Sequence, residues 1–292
     1  MKLIKPSVEL WEHGWELKDI WNHVAKCTRV CYQSSPKSDN EDGEAFVRRV
    51  IFRNSPDSCP FNHLSVLEHG TVYMIMPTDL GRKYSNNPYS KVYFAEADWD
   101  NEDEVGKAYV TTNLRVLVEN EWLDFDKQFI TPRHLLHSGR QTFSIITDIG
   151  VSRELNRHRC HSISEESTRY CNYANNKFGN ELTFIMPEWY DELDKDDEAQ
   201  DVFALGCEQA EFTYLKLREL CWPAQQARQV LPLSLKTQVV HTAFTLDWMD
   251  FLDLRLNEYS GKVHPNMKII ASKIGNFIYG LSLYKNENSQ GY

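Results

Sequence analysis

Apolar positions recur at helical spacing in residues 17–32, where Leu17, Ile20, Trp21, Val24 and Cys27 fall on one face. Phe46, Val47, Val50 and Ile51 repeat that spacing and predict a second helix. TVYMIM at 71–76 reads as a strand, ended by Pro77, which cannot donate to a ladder. RQTFSIIT at 140–147 reads as another. The intervening stretch, about 78–139, is polar and dotted with aromatics. Within it KVYFAEA and KAYVTTNLRVLV predict a hairpin, and NEWLDFDKQF a short helix. A short turn would suffice to join the flanking strands, so 78–139 is expected to be an insertion outside the chemistry. Beyond residue 147 the pattern turns helical. Asp148 is placed to cap a helix running through GVSRELNRH. The acidic stretch DELDKDDE at 191–198 predicts a solvated link, its charges suiting the start of the next helix. Helices are expected to fill most of 198–284, with Pro223 at a start and Pro232 at a break. The class is mixed α and β, with strands in the first two thirds and helices afterwards. No repeat or long low-complexity tract divides the chain, so 1–292 is read as a single domain.

Composition narrows the function classes. Hydrophobic residues make up 41% and charged residues 25%, as in a soluble globular protein. The formal net charge of -10 argues against a nucleic-acid backbone as main partner, which would call for a basic surface. A small anionic substrate stays open, because a local arginine cluster outweighs the global field inside a pocket. No apolar run approaches the roughly 20 residues of a membrane span. The start, MKLIKPSVELWEHGWELKD, carries charges where a signal peptide needs apolar residues, so the expected location is cytoplasmic. Seven cysteines include no CxxC pair. Cys27 and Cys31, four apart on a helix, are two ligands short of a zinc site and are expected as buried thiols. No metal is expected.

The densest chemistry lies in RELNRHRCHSISEESTRY, residues 153–170. Four arginines, Arg153, Arg157, Arg159 and Arg169, alternate with His158, His161, three serines and the acids Glu154, Glu165 and Glu166. Glu154 and Arg157 are three apart on the predicted helix and would share a face, setting an acceptor beside a planar cation. The guanidinium fork suits phosphate by donating two parallel hydrogen bonds. Ser167, Thr168 and Arg169 would form a small oxyanion-binding turn. On composition alone, a salt-laced helix end followed by a polar loop explains the segment as well.

The spacing shifts that balance. Arg157-His158-Arg159, seven residues, then Ser167 is RHR-x7-S, which resembles the signature of the ThyX family, the flavin-dependent thymidylate synthases. Four fixed positions arise by chance in about one chain per thousand at average residue frequencies. His63-Leu64-Ser65-Val66-Leu67-Glu68-His69 resembles the family's H-x-[ST]-x-x-E-H segment, and Ser152-Arg153-Glu154-Leu155 its lead-in to RHR. Thr28-Arg29-Val30-Cys31-Tyr32 resembles the end of its first helix. Ala227-Arg228-Gln229-Val230-Leu231-Pro232 and Phe251-Leu252-Asp253-Leu254-Arg255 resemble two further blocks, all in family order. The resemblance covers roughly 1–76 and 140–284.

The resemblance implies an α+β fold, a central mainly antiparallel sheet flanked by helices with a helix-rich C-terminal half. It implies FAD as cofactor, dUMP as substrate, methylenetetrahydrofolate as one-carbon donor and NADPH as reductant. It also implies a homotetramer with shared active sites. Carried over residue by residue, Glu154 and Arg157 would contact dUMP, and Ser167, Thr168 and Arg169 would hold it from a neighbouring subunit. Arg228 would reach its phosphate. Arg255 would sit at the uracil ring and, with Ser167, make up the catalytic set. Ser65, Arg157, His158, Arg159, Glu165 and Asp250 would contact FAD, with His63 near flavin and folate. The chain departs from the family pattern at Phe244, Thr245 and Leu246, which fall on a flavin-binding stretch, and in the spacing before His264. Cys160, between Arg159 and His161, is the tempting nucleophile, yet it falls on a variable position and no Pro-Cys-His triplet is present. Alternatives are a related pyrimidine-nucleotide methylase or hydroxymethylase, and a catalytically silent nucleotide- or flavin-binding protein.

Overall fold

Two antiparallel sheets carry the fold in a computed structural model that describes residues 1–38, 41–51, 63–95, 105–192, 198–259 and 261–288. Strands β1 (Lys2–Ile4) and β2 (Ser7–Trp11) lead into α1 (Leu17–Val30) and α2 (Gly43–Ile51). A 3-10 turn over Leu64–His69 precedes β3 (Thr71–Pro77), α3 (Thr78–Gly81), β4 (Lys91–Phe94), β5 (Lys107–Asn113), α4 (Leu114–Glu119) and α5 (Leu123–Asp126). Next come β6 (Arg140–Asp148), α6 (Ile149–Leu155), β7 (Ser162–Glu165) and β8 (Thr183–Ile185). The chain ends with α7 (Glu198–Glu219), α8 (Ala224–Ala227), β9 (Lys236–Phe244), α9 (Thr245–Arg255) and α10 (Pro265–Asn288). No described helix is long and apolar enough to cross a membrane.

The larger sheet has the order β2-β6-β9-β7, the smaller β3-β5-β4, and β1 pairs with β8 in parallel. The larger sheet has two unlike faces. Phe143, Ile145, Val239 and Ala243 point to one side and are fully buried with Trp248 and Phe251 of α9 and Ile270 and Ile274 of α10. The other side carries Thr142, Ser144, Ser162, Ser164 and Thr242, all buried toward α1 and the Leu64–His69 turn. Such a hydroxyl-rich interior is stable only if every group finds a partner. It does so in part through two buried imidazoles, His23 and His69. A second core joins α1, α2, the 3-10 turn and the smaller sheet, through Trp21, Val24, Leu67, Met74 and Val110.

The predicted α1, α2, β3 and β6 form as their periodicity requires. Asp148 caps α6: its Oδ1 accepts the Val151 N–H at 2.8 Å, while Oδ2 accepts from Asn266 Nδ2 at 3.0 Å. Other expectations change. KTQVVHTAF does not continue a run of helices but forms β9, the strand between β6 and β7. It is buried on both faces although five of its nine residues are polar, so no apolar alternation marks it as a strand. LRVLV is α4 rather than strand, started by Asn113, whose side chain accepts the Val116 N–H. β3 and β6 lie in different sheets, and β5 supplies the whole ladder of β3 from Thr71↔Asn113 to Pro77↔Lys107. Most of DELDKDDE lies outside the described residues.

Candidate active site

Helix α6 stops at Leu155, so the Arg157-His158-Arg159 triplet lies in the turns beyond it, where the Arg157 and His158 N–H groups bond back to the carbonyls of Glu154 and Leu155. Glu154 and Arg157 therefore share no helical face. Glu154 turns instead to the end of α9, where its Oε2 accepts from Arg255 Nη1 at 3.3 Å. Arg255 Nη2 donates to the Glu154 carbonyl at 3.4 Å, and its Nε donates to His158 Nε2 at 3.1 Å. That last bond requires an unprotonated ring nitrogen. Burial, helped by the Arg255 charge, pushes His158 down to about 4, so the ring is neutral at pH 7 and can accept. His158 also packs edge-on against Phe251, with ring centroids 4.9 Å apart. The Arg255 guanidinium is thus fixed by three contacts.

A second group of the sequence-selected residues lines a cleft of about 560 Å³ between β7, α6 and the 228–233 segment. Arg153, Glu165, Ser167, Thr168 and Arg228 face it. Arg228 Nη1 donates to Thr168 Oγ1 at 3.0 Å. Glu165 is held by Asn156 Nδ2 and Thr237 Oγ1, both at 3.1 Å. The Ser167 N–H donates to the Cys31 carbonyl at the end of α1, and the Tyr170 and Cys171 N–H groups donate to the Ser167 carbonyl. These amides are spent within the fold, and the cleft presents the side chains of Arg153, Arg228, Ser167 and Thr168. Arg169 is exposed, its guanidinium 5.4 Å from the Tyr170 ring centroid. Glu154, Arg157 and Arg255 are not among the lining residues, so one chain carries the selected residues as two groups.

Of the residues selected for a flavin, His158 and Glu165 are half-buried within these groups, and the others lie at the surface. Arg157, Arg159, Asp250, Ser65 and His63 are exposed. Among the described residues neither Arg157 nor Arg159 has a carboxylate partner. His63 begins the Leu64–His69 turn in a left-handed conformation with φ 65. Phe244 is buried beneath Lys91 and Arg140, each 5.7 Å from its ring, and His264 packs against Trp189. The Cys160 thiol is pushed up by burial and by Asp247, opposite to the effect its basic neighbours suggested.

Sequence reasoning passed over two residues that tie these parts together. His69 is fully buried and bonds Thr242 and Ser164 through its two ring nitrogens. Arg140 bonds Glu68, Thr71 and Ser162. His69 was in view as the end of a motif, but no spacing rule reveals the partners of a residue whose contacts lie 95 and 173 positions away.

A family profile described as thymidylate synthase complementing protein matches residues 134–278. A flavin-dependent thymidylate synthase of Thermosipho melanesiensis is 29% identical over 133 residues, 41% of this chain and 55% of that protein. One of Pseudothermotoga lettingae is 29% identical over 168 residues, 53% of this chain and 71% of that protein. The chain thus spans about half the length of the first of these relatives. A crystal structure of a UMP/dUMP methylase PolB from Streptomyces cacaoi bound with 5-Br dUMP covers 94% of this chain and 91% of its own. At 18% identity and a TM-score of 0.43, that likeness is too loose to carry an argument. The span matched by the family profile contains the Arg157–Ser167 motif, Arg228 and Arg255, the residues through which the chain resembles the ThyX family of flavin-dependent thymidylate synthases.

Proposed function

We propose that the chain is an FAD-dependent thymidylate synthase that converts dUMP to dTMP, with methylenetetrahydrofolate as one-carbon donor and NADPH as reductant. The observation that carries this reading is the state of the arginines in 153–255. Arg255 is locked in place by Glu154 and His158, whereas Arg157 and Arg159 stand exposed without carboxylate partners among the described residues. Fixed and unpaired cations, with Arg153 and Arg228 lining a cleft, suit an anionic nucleotide and a dinucleotide cofactor.

The donor set fits FAD. Arg157 and Arg159 match its two phosphates, and Ser65, His158, Glu165 and Asp250 supply further polar groups, with His63 near the ring system. Bound FAD would supply hydride transfer, which protein side chains cannot provide. The chain's own residues bind and orient. Arg228 would take the dUMP phosphate, with Ser167, Thr168 and Arg169 holding the nucleotide and Glu154 and Arg157 contacting it. Arg255 would meet negative charge that develops on the uracil ring, with no reorganisation needed at that moment. Ser167 would act by binding: no imidazole or carboxylate is hydrogen-bonded to its hydroxyl among the described residues, so nothing there activates it for attack. The two separate groups on one chain support a homotetramer in which one copy completes the site of another. The reading is of a cytoplasmic enzyme acting on free mononucleotides, independent of nucleic acid or membrane.

The test is flavin uptake followed by product analysis. The purified protein should be yellow or take up added FAD, and should form dTMP from dUMP, NADPH and the folate. A protein that shows neither flavin absorbance nor a thermal shift with FAD sinks the reading. A hydroxymethylated or ribonucleotide product would move it to the related methylases.

A further inference from the structure

Strand β7 is an edge strand of four residues with one ladder partner, β9. Its alternation is unusual, because the residues facing α1 are two serines, Ser162 and Ser164, both buried. A strand so short and so polar is weakly specified in register by apolar packing alone. Two side chains from other elements reach these serines. His69 ends the Leu64–His69 turn; its Nε2 lies 2.9 Å from Ser164 Oγ and its Nδ1 2.8 Å from Thr242 Oγ1. Arg140 opens β6; its Nη1 donates to the Glu68 carbonyl at 2.7 Å and to Thr71 Oγ1 at 3.1 Å, and its Nη2 to Ser162 Oγ at 3.1 Å. Both serines of β7 are therefore bonded to groups that belong to, or hold, the Leu64–His69 turn. Burial pushes His69 down to about 3, leaving one donor and one acceptor, which two rotatable hydroxyls can match. Thr242 continues the chain to Thr142 at 2.7 Å, and Thr142 to His23 at 3.3 Å.

We infer that His69 and Arg140 are positioning residues, which pin β7, and with it Glu165 and Ser167, against the turn that carries His63 and Ser65. The inference rests on the reading above, in that these four residues are taken as ligand contacts. An apolar contact would supply adhesion at this junction. Hydrogen bonds to named atoms also set distance and register, which a site built from two segments requires.

His69 permits a test that separates positioning from bulk stability. Asn places its amide where Nδ1 stands and can keep the Thr242 bond, whereas Gln reaches the place of Nε2 and can keep the Ser164 bond. Both variants lose one buried hydrogen bond and should lose similar thermal stability. If the Ser164 bond positions the site, H69N should weaken FAD binding and raise the KM for dUMP about fivefold to tenfold, with kcat little changed, while H69Q stays within about twofold of the parent. On flavin-free protein, amide exchange of the peptide spanning 162–167 should be faster in H69N than in H69Q. Arg140→Met should resemble H69N in both readouts. Equal effects of H69N and H69Q on both affinity and exchange would overturn the inference. If the parent protein takes up no flavin and makes no dTMP, the functional reading fails, and the exchange comparison alone then decides the pin.

Discussion

Acid should destabilise this fold through its buried imidazoles. Burial pushes His69 to about 3, with Arg140 adding repulsion. Burial also pushes His161 to about 3, assisted by His158, while His23 and His241 are held well below the ordinary value for the same leading reason. In the folded protein these rings stay neutral, but in the unfolded chain each takes a proton near pH 6.5. The unfolded state then binds more protons, so stability is complete above about pH 6.5 and falls as the pH drops below it. At pH 5.0 each ring still neutral in the fold costs about 1.5 pH units at 1.36 kcal/mol each, or about 2 kcal/mol. His69 and His161 together give about 4 kcal/mol, a large share of the roughly 5–15 kcal/mol that holds a domain folded, and His23 and His241 act in the same direction. The assay is urea unfolding followed by tryptophan fluorescence at pH 7.5, 6.5, 5.5 and 5.0. The unfolding free energy should fall by about 4 kcal/mol or more over that range. Replacing His69 by Phe should reduce the slope near pH 5 by about 1.4 kcal/mol per pH unit, one proton's worth. A free energy constant to within about 1 kcal/mol, or a slope unchanged by His69→Phe, would refute the argument.

Two further outcomes follow from single residues. Arg255→Ala should lower dTMP formation about 100-fold or more, equivalent to about 3 kcal/mol, while FAD uptake persists; near-normal turnover would show that the fixed guanidinium does not face the reaction. Asp148→Ala removes both the α6 cap and the acceptor for Asn266, and should cost about 1–2 kcal/mol in urea melts; an unchanged midpoint would mean that solvent replaces the cap at no cost.

What could be read from the chain divides along physical lines. α1 and α2 were legible because each has one buried face, so apolar spacing alone identifies them. β9 was not. It is covered on both sides, its apolar residues come in two pairs without alternation, and His241 and Thr242 between them are buried by hydrogen bonding that composition does not reveal. β7 was hidden for a related reason, since serines take the place of the apolar half of its alternation. In the candidate site, spacing singled out the motif residues, and Arg228 with Ser167 and Thr168 do share a cleft. The partner of Glu154 was misjudged because a helix that stops two residues early removes the face on which Arg157 would have stood. Tertiary partners such as His69 with Ser164 become visible only once the sheet order is known.

The same reasoning bears on residues 78–139, most of which precede the span matched by the family profile. A stretch without chemistry-bearing patterns is easily taken for an ornament, yet β5 pairs with β3 along its whole length, so that strand would otherwise lose its ladder partner. The stretch also has an internal anchor. Asp126 is fully buried, accepts from the Tyr84 hydroxyl at 2.5 Å and pairs with Lys83 at 2.6 Å, while burial and Asp126 together raise the Tyr84 phenol. Both partners converge on Oδ2 of Asp126, and removing one of them strands a buried group. From this anchored base, Arg115 on α4 reaches Glu68 at 2.5 Å, inside the turn that carries Ser65. Glu68 thus holds two arginines at once, Arg115 on its carboxylate and Arg140 on its carbonyl. The turn is braced from the 78–139 side by one and from the larger sheet by the other. Distance from a motif in sequence therefore says little about mechanical distance from the site, and the stretch belongs to the support of the turn even where none of its side chains meets a ligand.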